Sequence, residues 1–285
     1  MRLAEINLRD PFVLEDGGVY YLYGTRSETA WTDADGFDVY VSGDLENWSE
    51  PKEIFHNDGS FWATRAYWAP ECIRYDGAYY LIATFGGDGR KKGIQFLKSD
   101  SPDGTFTPVT PFPVTRADWE CLDGTFFESA DGEPYLIFSH SVPEEVRGAL
   151  CAAKLKRDFT GFAEEPRVLF YADEAPWTRP VPFAKTEFGI DGAAYLSDGP
   201  YIVRGDDGAL LLLWSSWSDC GGYAMGISTC RGTSLFGSWT HGENVIARGG
   251  GHGMVFRTVH GELLLTYHSP NDKGKEHPVF VPFPL

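Results

Sequence analysis

Arg9-Asp10-Pro11-Phe12-Val13-Leu14 runs into Asp16-Gly17-Gly18-Val19-Tyr20-Tyr21-Leu22-Tyr23-Gly24-Thr25. Two apolar runs flank an Asp-Gly turn, the pattern of a β-hairpin, with an acid just ahead of the first strand. The pattern returns as Ala69-Pro70-Glu71-Cys72-Ile73 before Asp76-Gly77, and as Leu122-Asp123-Gly124-Thr125-Phe126-Phe127 before Asp131-Gly132. It returns again as Asp198-Gly199-Pro200-Tyr201-Ile202-Val203 before Asp207-Gly208, and as His252-Gly253-Met254-Val255-Phe256 before His260-Gly261. The turn pairs begin at 16, 76, 131, 207 and 260, in steps of 60, 55, 76 and 53 residues. A long period built from short strands is the signature of a propeller, with four strands to a blade. Five copies shared among 285 residues give 57 residues each. The sequence predicts an all-β, five-bladed β-propeller of about four antiparallel strands per blade, with residues 1–285 as one domain.

A β-sandwich of similar hairpins is the competing architecture. The two differ in where the residues that open the hairpins go. In a propeller the innermost strand of each blade lines a central channel. Asp10, Glu71, Asp123, Asp198 and His252 open the five inner strands and would converge on one axis. The last repeat is short, so Arg2 to Asn7 are expected to pair with it and close the ring, because an open blade edge leaves backbone unpaired.

Composition narrows the ligand. The net charge of −17 argues against nucleic acid, anionic membranes and polyanionic substrates. A neutral oligosaccharide is the natural partner. No apolar run is long enough to span a membrane, and the stretch from Met1 into the first repeat predicts no signal peptide. The five cysteines, at 72, 121, 151, 220 and 230, lack metal-ligand or disulfide spacing and suit a reducing, cytoplasmic setting.

Three carboxylates at one channel mouth are tolerable only if their pKa values are driven apart. Glycoside cleavage uses that split: one group protonates the leaving oxygen and another activates water. A lone Asp before Gly or Pro is more often a turn-former, but Asp10 and Asp123 recur at equivalent places. Aromatic side chains for stacking on sugar C–H faces are Phe12, Trp31, Trp68 and Trp217, with core packing as the alternative for each. Arg65 is a candidate for holding sugar hydroxyls.

On these residues the chain resembles glycoside hydrolase family 43, five-bladed propellers that cleave arabinofuranosides and xylosides with inversion. Arg9-Asp10-Pro11 is similar to the family's first motif, which implies that Asp10 is the general base. Trp68-Ala69-Pro70-Glu71 is similar to a motif lining the sugar pocket. Leu122-Asp123-Gly124 is similar to the motif whose Asp tunes the acid's pKa. Gly250-Gly251-His252-Gly253 is similar to the motif whose His sits on the axis; this implies His252 as a ligand for a calcium ion or water cluster, with no cofactor required. The family's acid is normally Glu before Gly-Pro, whereas Ser197-Asp198-Gly199-Pro200 offers the shorter Asp198. Glu187, in the insertion before the fourth repeat, is the competing acid. The resemblance implies an inverting arabinofuranosidase or xylosidase acting on plant-derived oligosaccharides. A catalytically inactive sugar-binding propeller remains open because of Asp198. A fructan- or sucrose-type propeller remains open because Pro70-Glu71-Cys72 carries that group's Glu-Cys pair.

Overall fold

The computed structural model describes residues 1–220, 222–232 and 234–284. Five small antiparallel sheets stand in a ring. Blade one is β1 (Leu8–Asp16), β2 (Val19–Arg26), β3 (Gly36–Ser42) and β4 (Lys52–His56). Blade two is β5 (Arg65–Tyr75), β6 (Ala78–Gly87), β7 (Arg90–Ser99) and β8 (Thr107–Pro108). Blade three is β9 (Cys121–Glu128), β10 (Pro134–His140), β11 (Ala149–Lys154) and β12 (Arg167–Tyr171). Blade four is β13 (Asp198–Arg204), β14 (Leu210–Ser218), β15 (Gly222–Cys230) and β16 (Trp239–His241), with β17 (Ala247–Arg248) also paired to β15. Blade five is β18 (Gly251–Arg257), β19 (Leu263–Ser269) and β20 (His277–Pro282).

Each repeat read from the sequence is the inner hairpin of one blade. The turns take the positive φ that Asp-Gly supplies, as at Asp76 (46°) and Gly77 (79°). The apolar residues of each hairpin pack between neighbouring blades. Leu22, Phe37, Leu81 and Phe85 belong to one such core, and Ile82, Phe96, Leu136 and Phe138 to the next. Cys72, Cys121, Cys151 and Cys230 are buried free thiols within these layers, while Cys220 is exposed.

The ring closes differently from the expectation. Leu3–Glu5 form a short 3-10 turn, and among the described residues blade five has three strands, not four. Closure rests instead on point contacts. The Leu8 N–H donates to Glu276 O at 3.1 Å, the Asn7 amide donates to Glu276 O at 2.9 Å, and His277 Nδ1 meets Ile6 O at 2.9 Å. Arg9 and the fully buried Glu276 add an ion pair at 2.7 Å. Removing one partner of such a pair typically costs ~3–5 kcal/mol, because the other charge stays buried alone.

Every inner strand carries a bulge near its start. Asp10, Ala69, Asp123, Gly199 and His252 all have φ between 46° and 57°. The residues just before them, Arg9, Trp68, Leu122, Asp198 and Gly251, pair with Thr25, Thr84, Ser139, Ser215 and His268 on the second strands. The equivalence is thus tighter than the sequence suggested and includes different residues. Asp10, Asp123 and His252 share one position; Asp198 lies one residue before it and Glu71 two beyond it. A non-glycine residue held at positive φ costs on the order of 1–3 kcal/mol and marks sites that the surrounding structure enforces.

That enforcement comes from the neighbouring blade. The Ala69 N–H donates to Thr25 Oγ1, the Asp123 N–H to Thr84 Oγ1 and the His252 N–H to Ser215 Oγ, each at 2.8 Å. The Asp10 N–H donates to His268 Nδ1 at 3.3 Å. Blade four breaks the pattern. The Gly199 N–H donates to Asp123 Oδ2 at 3.2 Å, and Ser139 Oγ is left buried without a partner.

Candidate active site

The bulges place three carboxylates around one imidazole. His252 Nδ1 lies 3.0 Å from Asp198 Oδ1, 3.4 Å from Asp10 Oδ1 and 3.9 Å from Asp123 Oδ2. Gly199 makes room for it: a Cβ there would sit 2.6 Å from His252 Cγ. Burial works against a charge on His252, but Asp10, Asp123 and Asp198 outweigh it and push the imidazole up to about 10. Burial also opposes charge on Asp10, yet His252, His268 and Arg9 hold its carboxyl well below the usual range. One carboxylate oxygen accepts from the Thr25 hydroxyl at 2.6 Å, and the other lies 3.3 Å from His268 Nδ1, which accepts the Asp10 N–H. His268 is fully buried, bonded through Nε2 to Asn271 Oδ1 at 3.2 Å, and stacked on Tyr223.

Asp123 and Asp198 divide their proton unevenly. Asp123 is raised well above the carboxylate range by burial and by the Asp198 charge. Asp198 resists burial and stays low because His252 donates to it and faces it with positive charge. Asp198, which stands in the acid's position of the motif, is therefore not the group that its neighbours keep protonated. A cationic partner at 3.0 Å outweighs two carboxylates farther off. Asp10 Oδ1 and Asp198 Oδ1 both contact His252 Nδ1, at 3.4 Å and 3.0 Å, so the imidazole stands between the two carboxylates where an inverting pair needs room for a water.

Above Asp198 opens a cavity of 480 Å³. Trp31, Trp68 and Trp217 line it, as expected of sugar platforms, and so do Arg9, Tyr223 and Glu187. Trp31 is 53% exposed and stands edge-on to Trp68 with ring centroids 5.4 Å apart. The insertion between β12 and β13 builds the opposite wall. Its single helical turn, α1 (Ala184–Phe188), packs Ala184 against Val142, Val181 and Ala194 and presents Glu187 to the cavity.

Three sequence candidates lie elsewhere. Phe12 is buried, packed edge-on to Tyr201, and faces the narrow axial channel rather than the open cavity. Glu71 lines the same channel, and burial pushes its carboxyl up to about 8 against the pull of Thr125 and His252. Asp10 and His252 line this channel too, whereas the open cavity includes neither Phe12 nor Glu71. Arg65 lines an adjoining cavity and pairs with Asp88 at 2.8 Å.

Neither His268 nor Tyr223 was among the residues singled out from the sequence. The signal for His268 was present: it occupies the second-strand position held by Thr25, Thr84, Ser139 and Ser215 in the other blades. Tyr223, on the third strand of blade four, carries no repeat signal.

The donors do not suit calcium. Asp123, Asp198 and His252 bring their ligand atoms within 4.8 Å of one another. Calcium takes oxygen ligands, whereas the His252 nitrogen that faces these carboxylates carries a proton and is engaged with Asp198. His252 supplies the positive charge on the axis itself.

The family model for glycosyl hydrolases family 43 matches residues 3–279. A solved endo-arabinase from Bacteroides thetaiotaomicron superposes with a TM-score of 0.90 at 34% identity, covering 100% of this chain and 97% of that one. A beta-D-galactofuranosidase, xynD, from Aspergillus niger is 24% identical over 91% of this chain and 74% of its own length. A xylosidase/arabinosidase from Bacteroides ovatus is 26% identical over 59% of this chain and 60% of its own. With a carboxylate-lined floor beneath an aromatic cavity and this match over nearly its whole length, the chain belongs to glycosyl hydrolases family 43 and is a glycoside hydrolase.

Proposed function

We propose that the enzyme hydrolyses arabinofuranosyl bonds in neutral, plant-derived oligosaccharides, with inversion, and with xylosyl bonds as the alternative specificity. The observation that carries this is the floor beneath the cavity: Asp198 lines the aromatic-walled cavity, and behind it lie Asp10, held ionised, and Asp123, the protonated partner of Asp198. The likeness to the endo-arabinase supports the arabinofuranosyl choice.

Asp10 acts as the general base. Its carboxyl is held by the Thr25 hydroxyl and its backbone N–H by His268, so it is oriented before substrate arrives. It takes a proton from water as the oxygen attacks the anomeric carbon. Asp198 delivers a proton to the leaving oxygen, drawn from Asp123, whose carboxyl is the protonated member of the pair. For this to proceed by inversion, the Asp198–His252 contact must open when sugar enters, so that a water fits between acid and base. The imidazole between the two carboxylates favours a second reading, in which Asp198 only anchors His252 and Glu187 donates from across the cavity.

Hydrolysis of nitrophenyl α-L-arabinofuranoside, β-D-xyloside and β-D-galactofuranoside tests the substrate. Proton NMR of the first-released sugar tests the stereochemistry. Turnover of the arabinofuranoside with an inverted product is expected. A retained anomer would overturn the assignment of Asp10 as base, and turnover of the galactofuranoside alone would overturn the substrate.

A further inference from the structure

The strand β7 opens on Arg90-Lys91-Lys92, three successive cations in a chain with 24 Lys and Arg against 41 Asp and Glu. They fall where the reaction cavity meets its surroundings. Lys92, Trp31 and Trp68 line the reaction cavity and also an adjoining cavity of 310 Å³ that includes Arg65 and Arg90. Arg90 and Lys92 line a third cavity, of 490 Å³, together with Lys91, Arg116 and Phe112. The three cavities run in series outward along the rim of blade two. The adjoining cavity holds Asp33 and Glu120 beside its cations, but the lining of the third includes four cations and no carboxylate.

Most of these cations have partners. Lys92 pairs with Glu120 at 3.2 Å, Lys91 with Glu144 at 2.8 Å and Arg116 with Asp118 at 2.9 Å. Arg65 pairs with Asp88, which is 92% exposed, and such surface pairs hold their members weakly. Arg90 has no ion pair among the described residues. Its guanidinium carbon lies 3.7 Å over the ring of Phe112, itself 42% exposed. Stacking fixes the guanidinium plane and leaves its N–H edge free for a planar, two-oxygen acceptor.

We propose that the rim of blade two is a subsite for a uronic acid residue lying beyond the sugar that is cleaved. An inorganic anion would need the cations but not the aromatic rings; a neutral sugar would need the rings but not an unpartnered guanidinium. A uronosyl ring uses both, its C–H face on Trp31 and its carboxylate on Arg90, which line the same adjoining cavity. The overall charge of −17 repels a long polyanion, so the site fits isolated acidic residues within an otherwise neutral chain. The proposal rests on the preceding reading for which sugar is cleaved, but its test does not need the bond to break.

NMR titration with glucuronic acid and with glucose, which differ only in carboxylate against hydroxymethyl, reads the subsite directly. Wild-type protein should bind glucuronic acid at least about fivefold more tightly than glucose, and the advantage should shrink as salt is raised. Arg90→Gln, an exposed hairpin position that carries no core packing, should abolish the advantage. The ratio of kcat/KM for an arabino-oligosaccharide bearing one uronic acid to that for its neutral counterpart should fall about tenfold in the same variant. Equal binding of the two sugars, or a preference that survives Arg90→Gln, would overturn the subsite. Displacement of glucuronic acid by an equal concentration of inorganic phosphate would overturn the uronate assignment in favour of a general anion site. Binding of glucuronic acid with no hydrolysis of either oligosaccharide would overturn the proposed activity and leave the subsite standing.

Discussion

The floor of the reaction cavity and the rim of blade two are both built from charged side chains, yet they are assembled in opposite ways. The floor takes Asp10, Asp123, Asp198 and His252 from four different blades, each at or beside the same strand bulge. The rim takes Arg90, Lys91 and Lys92 from a single hairpin and adds Arg65 and Arg116 from nearby segments. Floor groups are buried, mutually coupled and fixed by the neighbouring blade. Rim groups are more exposed, and all but Arg90 pair with nearby acids. Charges in the first setting are worth a great deal and are strongly perturbed, while those in the second are screened by water and salt. Chemistry therefore belongs to the floor and selectivity to the rim.

The largest effect expected from breaking the floor follows from Asp10→Asn. The amide keeps the shape and the contact with Thr25 but cannot accept a proton from water. Hydrolysis should fall by about 10²–10⁴, the usual worth of a general base, in a protein that still folds but melts lower, because the charge facing His252 and Arg9 is lost. Retention of more than about a tenth of the wild-type rate would remove Asp10 from the role.

A comparison of Asp198→Ala with Glu187→Ala sharpens the same contrast. The first residue is fixed on the floor; the second sits on a one-turn helix of the opposite wall. Loss of the true acid should slow natural oligosaccharides about a hundredfold while sparing a dinitrophenyl glycoside, whose leaving group needs little protonation. The variant that shows this leaving-group dependence identifies the acid. If Glu187→Ala shows it and Asp198→Ala does not, catalysis is shared between floor and wall.

The smallest effect concerns stability below the floor. Glu71 is raised from 4.5 to about 8 and His252 from 6.5 to about 10. Both groups bind their proton more tightly when folded. The stability they contribute is complete below the unfolded values and is lost as pH climbs, between 4.5 and 8 for Glu71 and between 6.5 and 10 for His252. Asp10, held low, acts in the opposite sense and loses its contribution only in acid. Glu71→Gln removes one titration without changing shape. Its melting temperature should overtake that of the wild type between pH 6 and pH 9, by on the order of 5 °C. Melting curves that stay parallel across that range would mean Glu71 carries its charge in the folded protein.

Repeat and hairpin chemistry made the fold readable. An Asp-Gly turn between two apolar runs states a hairpin locally, and five of them at long spacing state a ring. Asp10, Asp123 and His252 were readable for the same reason, since each occupies one position of the repeat. Asp198 and Glu71 were grouped with them because one or two residues of offset is invisible without the bulge. That offset matters physically. It turns Asp198 up toward the cavity and onto His252, and it sends Glu71 and Phe12 down into the channel.

What the amino-acid sequence determined by itself was the architecture, the family and the set of groups that meet on the axis, because these follow from local turn propensity repeated five times. Only the tertiary structure decided how those groups divide their protons and what surrounds them. The preference for Asp123 over Asp198 as proton holder depends on an imidazole brought from blade five to within 3.0 Å of one and 3.9 Å of the other. The cavity wall depends on an insertion folding back over blade four, and the cationic rim on a hairpin of blade two. Such contacts join residues far apart in the chain, and electrostatic energy depends on distance and burial, which no local pattern encodes.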